Sequence, residues 1–240
     1  MAKGAFRHGR LAPVPNGTVP SRRTGRPAGP SGGRTARAEF FLCLARVFSP
    51  PVEEAAYEEV AHYLADDLAA LAAEAGYPVA AEIAALRGAI ARVPDRLGLL
   101  QLYSGLFLSP PAKVDINAGL YLDGGILGPS ELEMERRYAR HGLKRADGFH
   151  DLSDHLSPML EFLALLWAKA NRGEASASEA IAWSRDFLDP WLPRFADKIA
   201  SVCVADGLPE VYLHLARVVE KSIGHDIAQA EGTAVGGSGD

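Results

Sequence analysis

The stretch DLSDHLSPMLEFLALLW, residues 151–167, decides the fold. Leu156, Met159, Leu160, Leu163, Leu166 and Trp167 recur at the i, i+3, i+4, i+7 spacing of one helix face. Most of the remaining positions are apolar as well, which describes a helix buried on several sides. Asp151 or Ser153 can cap its start, and Asp154 in the first turn suits the positive end of the helix dipole. Asp154 and His155 at the mouth of such a helix are either a local cap or part of a recognition site.

Outward from this stretch the helical pattern continues. Alanine and leucine dominate and β-branched residues are sparse, which favours helix. Helices are expected over 34–48, 52–75, 80–93, 95–108, 129–142, 154–171, 174–188, 193–205 and 208–230. Pro50, Pro51, Pro110 and Pro111 punctuate them, as do Gly76 and Gly173. No segment reads as a convincing strand. The pattern lapses only over 112–128, which carries Asn117, Gly119, Gly124, Gly125 and Gly128. The expectation is an all-α fold, a single bundle of about nine helices over 34–230 with one functional loop. Residues 1–33 read as a disordered basic tail and 231–240 as a small-residue tail.

Charge is unevenly spread along the 240 residues, 48% hydrophobic and 23% charged, with a formal net charge of -5. The first 38 residues carry Lys3, Arg7, Arg10, Arg22, Arg23, Arg26, Arg34 and Arg37 and no acid. The folded body is therefore acidic, which disfavours nucleic acid and suits basic partners, peptides included. Ser21-Arg-Arg-Thr24 has the tandem arginines of an export signal, but the polar stretch after it lacks the apolar core such a signal needs. No apolar run reaches the roughly 18 residues that span a bilayer, so no membrane insertion is expected. Cys43 and Cys203 lie far apart and outside any metal-ligand spacing, and read as two thiols.

Catalytic motifs are weak. None of the seven histidines forms a His-x-x-x-His pair, and there is no G-x-S-x-G elbow. The glycines of 124–128 precede a helix but lack the Lys-Ser/Thr of a phosphate loop. No catalytic residue, metal site or cofactor is expected. The alternatives kept open are a metal-dependent helical enzyme using His150, Asp151, Asp154 and His155, and a helical adaptor with a basic tail.

Binding is better supported. Tyr103, Leu106 and Phe107 share a face of the helix over 95–108, and Tyr121 and Tyr138 add rings with polar tips. For Leu106 core packing is an equal reading. Arranged around Asp154 and His155, these groups would form an apolar cleft with an acidic rim, fit for a peptide bearing arginines beside an apolar stretch.

Four features in this order resemble the TorD/DmsD/NarJ family of cytoplasmic molybdoenzyme chaperones. They are the aromatic-x-x-Leu-Phe helix of Tyr103 to Phe107, a long proline-containing loop, the Tyr121 to Leu143 turn and helix with Tyr-x-x-x-Gly-Leu, and the Asp154-His155-Leu156 helix with its Leu-Glu-Phe-Leu. The resemblance implies an all-helical chaperone, not an enzyme. Such a chaperone would bind the twin-arginine signal peptide and apo catalytic subunit of a molybdopterin oxidoreductase, delaying export until the cofactor is inserted. It implies a peptide pocket lined by Tyr103, Leu106, Phe107 and Tyr121, shaped by Gly128, with Asp154 and His155 as polar floor. It also implies a cytoplasmic monomer or homodimer. The sequence departs from the family at Leu152, where proline is usual, and over 112–117, where a proline-rich loop with tryptophan is usual.

Overall fold

A computed structural model describes residues 10–13 and 32–236. The helices are α1 (Gly32–Val47), α2 (Glu54–Glu58), α3 (Leu64–Ala75), α4 (Ala80–Ile90), α5 (Arg96–Phe107), α6 (Ala118–Leu122), α7 (Pro129–Arg140), α8 (Leu156–Asn171), α9 (Ala177–Trp183), α10 (Leu192–Asp206) and α11 (Val211–Gly236). The expected helix over 52–75 is continuous but passes through a π-helical turn, Glu59–Tyr63, between α2 and α3. The one over 174–188 ends in a second such turn, Ser184–Leu188. The all-α expectation holds, and the described residues form one bundle around a continuous core.

Helix α8 lies at its centre and packs along α1. Leu156, Met159, Leu160 and Leu163 are fully buried, and Phe162, Leu166 and Trp167 nearly so. Each such side chain contributes about 1.5–3 kcal/mol on leaving water, so this helix anchors the bundle. The polar edges of its large neighbours are satisfied within the core. Trp183 Nε1 donates to the Met159 carbonyl at 3.2 Å and Trp191 Nε1 to that of Phe187 at 2.7 Å. Tyr138 lies edge-on to Phe162 at 4.9 Å. A partly buried ion pair ties α1 to α11, where Asp226 accepts from Arg37 Nε at 3.0 Å and from the Tyr77 hydroxyl at 2.7 Å. In that position the Asp226 carboxyl is pushed up by burial, with Tyr77 and Arg37 pulling it back down.

Three expectations need correction. Two short strands are present, β1 (Leu11–Pro13) and β2 (Leu143–Arg145), paired antiparallel with Ala12 opposite Lys144. Residues 10–13 therefore lie against the body rather than in a free tail; residues 1–9 and 14–31, with the tandem arginines Arg22 and Arg23, are outside the described residues, as are 237–240. At the other end, α11 continues past residue 230 to Gly236. The third correction concerns the start of α8. Its cap is His155, whose Nδ1 accepts from Ser157 N at 3.1 Å, and Asp154 precedes the helix instead of sitting in its first turn. The reason lies in the backbone, because His155 forms an antiparallel bridge with Asn117 and must be extended there. Leu156 N donates to the Ile116 carbonyl at 3.2 Å and Ala118 N to that of Asp154 at 3.0 Å, completing the bridge.

Candidate functional site: a loop clamped on the head of the buried helix

Asp154 is fully buried and both its carboxylate oxygens are taken. Oδ2 accepts from Gly119 N at 2.7 Å and Oδ1 from Asn117 Nδ2 at 3.0 Å. The same Asn117 amide reaches Asp151 Oδ1 at 3.1 Å. The side chain thus holds the loop before α6 against the head of α8. Burial pushes its carboxyl above the usual carboxylate range, while the Asn117 and Gly119 donors pull it back.

Two glycines make this clamp possible. A Cβ on Gly119 would stand 2.7 Å from Asp154 Oδ2 and 2.9 Å from the Gly125 carbonyl. One on Gly128 would stand 2.8 Å from the Cβ of Asp123. Asp123 is held there because it satisfies the N-terminus of α7, accepting from Ser130 N and Ser130 Oγ, both at 2.9 Å. Gly119→Ala is therefore expected to cost about 2 kcal/mol in urea unfolding, as overpacking against a fixed carboxylate and backbone does. Gly105→Ala is the control, because a Cβ there meets nothing within 4 Å; a loss equal to that of Gly119→Ala would contradict the clamp.

Three further carboxylates and an imidazole gather at this junction. Glu131 is buried, with Oε1 accepting from Ser153 N at 3.2 Å; Oε2 has no partner among the described residues. Its carboxyl is raised by burial and next by the nearby Asp154 charge. Glu135 accepts from Ser153 Oγ at 2.8 Å. His155 is buried, and its Nε2 lies 3.9 Å from Asp151 Oδ2. Burial pushes the imidazole down to about 4, against the pull of Asp151, with Arg10 reinforcing the shift. It is therefore neutral at pH 7, and the proton sits on the nitrogen that does not cap α8.

The outer side of the clamped loop is apolar. Ile126 and Leu127 are 60% and 67% exposed, Leu132 on α7 is 53% exposed, and Leu120 on α6 is also exposed. Leu127 has a backbone φ of 57°, a region that strains any residue with a Cβ. An exposed leucine held in that conformation is consistent with a surface shaped for contact rather than for hydration.

Of the residues expected to form the site, Asp154 and His155 stand at the clamp, and Gly128 packs against Asp123 at the end of the same loop. Tyr121 lies on α6, its ring 5.2 Å from Trp191 and under the Arg194 guanidinium, its hydroxyl donating to the Asp115 carbonyl at 2.9 Å. Tyr103, Leu106 and Phe107 do not line an open cleft. They are buried, the Tyr103 ring packing on Phe107 at 5.0 Å and Tyr212 at 5.6 Å, its hydroxyl on the Phe48 carbonyl at 3.3 Å. The periodicity that marked them is that of core. Asn117, Gly119, Asp123 and Glu131, like the exposed Ile126 and Leu127, sit in no motif that marks them as site residues. The one signal for them was the dense Asn and Gly content of the loop. Among the described residues no three His, Cys, Asp or Glu side chains converge as a metal would need, and the donors on Asp154 fill the positions a metal would take.

The profile of the nitrate reductase delta subunit family matches residues 55–199. A TorD chaperone protein from a classical strain of Vibrio cholerae is 31% identical over 178 residues, covering 68% of this chain and 79% of that protein. Its counterpart from an El Tor strain is 30% identical over the same length. A redox enzyme maturation protein from Archaeoglobus fulgidus superposes with a TM-score of 0.48 at 23% identity, over 83% of this chain and 98% of that one. The chain belongs to the TorD/NarJ family of redox enzyme maturation chaperones.

Proposed function

We propose that this protein is a cytoplasmic, non-catalytic chaperone for the apo catalytic subunit of a molybdopterin oxidoreductase. It binds the subunit's twin-arginine signal peptide and holds the subunit back from export until the cofactor is in place. The observation that carries this reading is the clamped loop, which carries exposed Ile126 and Leu127 together with exposed Asp123 and leads into α7, where Leu132 and Glu135 are exposed as well. A signal peptide has the complementary chemistry, arginines beside an apolar run. Apolar contact gives affinity, and the acidic rim selects the arginines through their fork of donors.

Within the bundle of residues 34–230, Asp154 and His155 are positioning residues that set the loop, and Gly128 lets it close on Asp123. Tyr121 stiffens its far side. Tyr103, Leu106 and Phe107 serve as the rigid floor beneath. Family membership supports a chaperone, and among the described residues no helix is long and apolar enough to cross a membrane.

The test is fluorescence anisotropy with a synthetic peptide carrying two arginines followed by an apolar run. Ile126→Asp and Leu127→Asp are each expected to weaken binding about tenfold, because both side chains are exposed and neither supports the core. The melting temperature should not move. Unchanged affinity in both variants would place the peptide elsewhere.

A further inference from the structure

Glu161 is a charge in the middle of the most buried helix of the bundle, with its side chain only 9% exposed. Its hydrogen bonds among the described residues all come from the N-terminal segment. Oε2 accepts from Arg10 N at 2.8 Å and Leu11 N at 3.1 Å, and Oε1 accepts from Arg10 Nη1 at 3.1 Å. The other arm of the guanidinium, Nη2, donates to Ser49 Oγ. Ser49 Oγ lies 3.2 Å from Ser157 Oγ, in the first turn of α8 beside His155. The Arg10 carbonyl accepts from Ala146 N at 2.7 Å, β1 pairs with β2, and Leu11 packs against the edge of the core.

A carboxylate this buried is costly without a cationic, hydrogen-bonding partner. Nothing in the helical body supplies that partner among the described residues; a segment about 150 positions upstream does. Yet the supplier is a three-residue strand on a two-stranded ribbon, which is marginal on its own. The arrangement has the parts of a peptide receptor. It offers a buried carboxylate for an arginine fork, a strand edge for the backbone and an apolar recess for the residue after the arginine.

We propose that Glu161, Ser49 and the edge of β2 that β1 covers form a docking site for an extended segment in which an arginine is followed directly by an apolar residue. Residues 10–13 are its intramolecular occupant, and they leave when a client segment of that chemistry takes their place. The proposal deepens the chaperone reading and rests on it for the identity of the client. It gives the chain a built-in competitor, so that weak basic peptides are excluded and a stronger one must displace the strap.

The test uses the full chain and a labelled peptide reproducing residues 7–16. Arg10→Asp sets two carboxylates against each other and empties the site, so the peptide is expected to bind this variant about tenfold more tightly than the unaltered chain. Adding Glu161→Gln to Arg10→Asp should remove the gain. Because Arg10→Asp strands a buried charge, a second variant keeps the fold intact: Ala12→Cys with Lys144→Cys, directly opposed across the strands, closes the strap by a disulfide. The oxidised form should not bind the peptide, and reduction should restore the binding of the unaltered chain. Equal binding by all forms, or a gain that survives Glu161→Gln, would overturn the proposal. A tandem-arginine peptide titrated in parallel separates the two readings. If it binds while the 7–16 peptide binds every form alike, the strap is wrong and the chaperone reading stands. If only the 7–16 peptide binds, the site stands and the chaperone reading falls.

Discussion

Asp154→Ala is expected to lower the unfolding free energy by about 3 kcal/mol and to release the loop before α6. The substitution leaves Gly119 N buried without an acceptor and removes one of the two acceptors of the Asn117 amide. An orphaned buried donor costs about 1–3 kcal/mol, more where the lost partner was charged, and the loop loses its tether as well. Some of that is offset, because the carboxylate itself is penalised by burial. Asp154→Asn should cost less, since an amide oxygen can still receive the Gly119 N–H, while its nitrogen faces that of Asn117. Urea unfolding reads the stability. Amide exchange at Gly119 locates the effect and should accelerate in Asp154→Ala well before global unfolding. A stable Asp154→Ala variant with slow exchange at Gly119 would show that the loop is held by something else.

The second large effect is a loss of stability in acid that belongs to His155. In the unfolded chain the imidazole titrates near 6.5, and in the fold burial holds it down to about 4. A depressed folded value means that the fold binds fewer protons than the unfolded chain between those limits. The contribution is therefore complete above about pH 6.5 and lost as pH falls towards 4, at roughly 1.4 kcal/mol per pH unit and about 3 kcal/mol in all. Asp154, Glu131 and Asp226 act with the opposite sign, since burial raises each and they favour the fold as pH falls. His155→Asn isolates the imidazole, because asparagine can still cap α8 and carries no titrating ring. Stability curves of the two proteins should converge near pH 4 and separate towards pH 7. Parallel curves from pH 4 to 7 would mean that His155 is not held neutral by the fold.

Both effects arise where the sequence was only partly legible. The bundle was readable because burial leaves a mark every three or four residues, as in α8 with Leu156, Met159, Leu160 and Leu163. The same mark misled for Tyr103, Leu106 and Phe107, since a helix face turned to the core and one turned to a groove share a period. Asp154 stood out as an acid before an apolar run, but its role depends on Asn117 and Gly119, more than thirty residues away, and no local pattern encodes that pairing. Strands of three residues carry no period either, so β1 and β2 were invisible. Glu161 was in plain sight as the only charge between Leu156 and Trp167, and its meaning emerged only with Arg10 beside it.

The clamped loop is expected to receive a tandem-arginine peptide. Amide hydrogen exchange of the full chain, with and without a synthetic peptide of two arginines and an apolar run, tests it most directly. Slowed exchange is predicted over residues 118–132 and 151–155, with α4 and α10 unchanged. Protection confined to other helices, or none at saturating peptide, would contradict it.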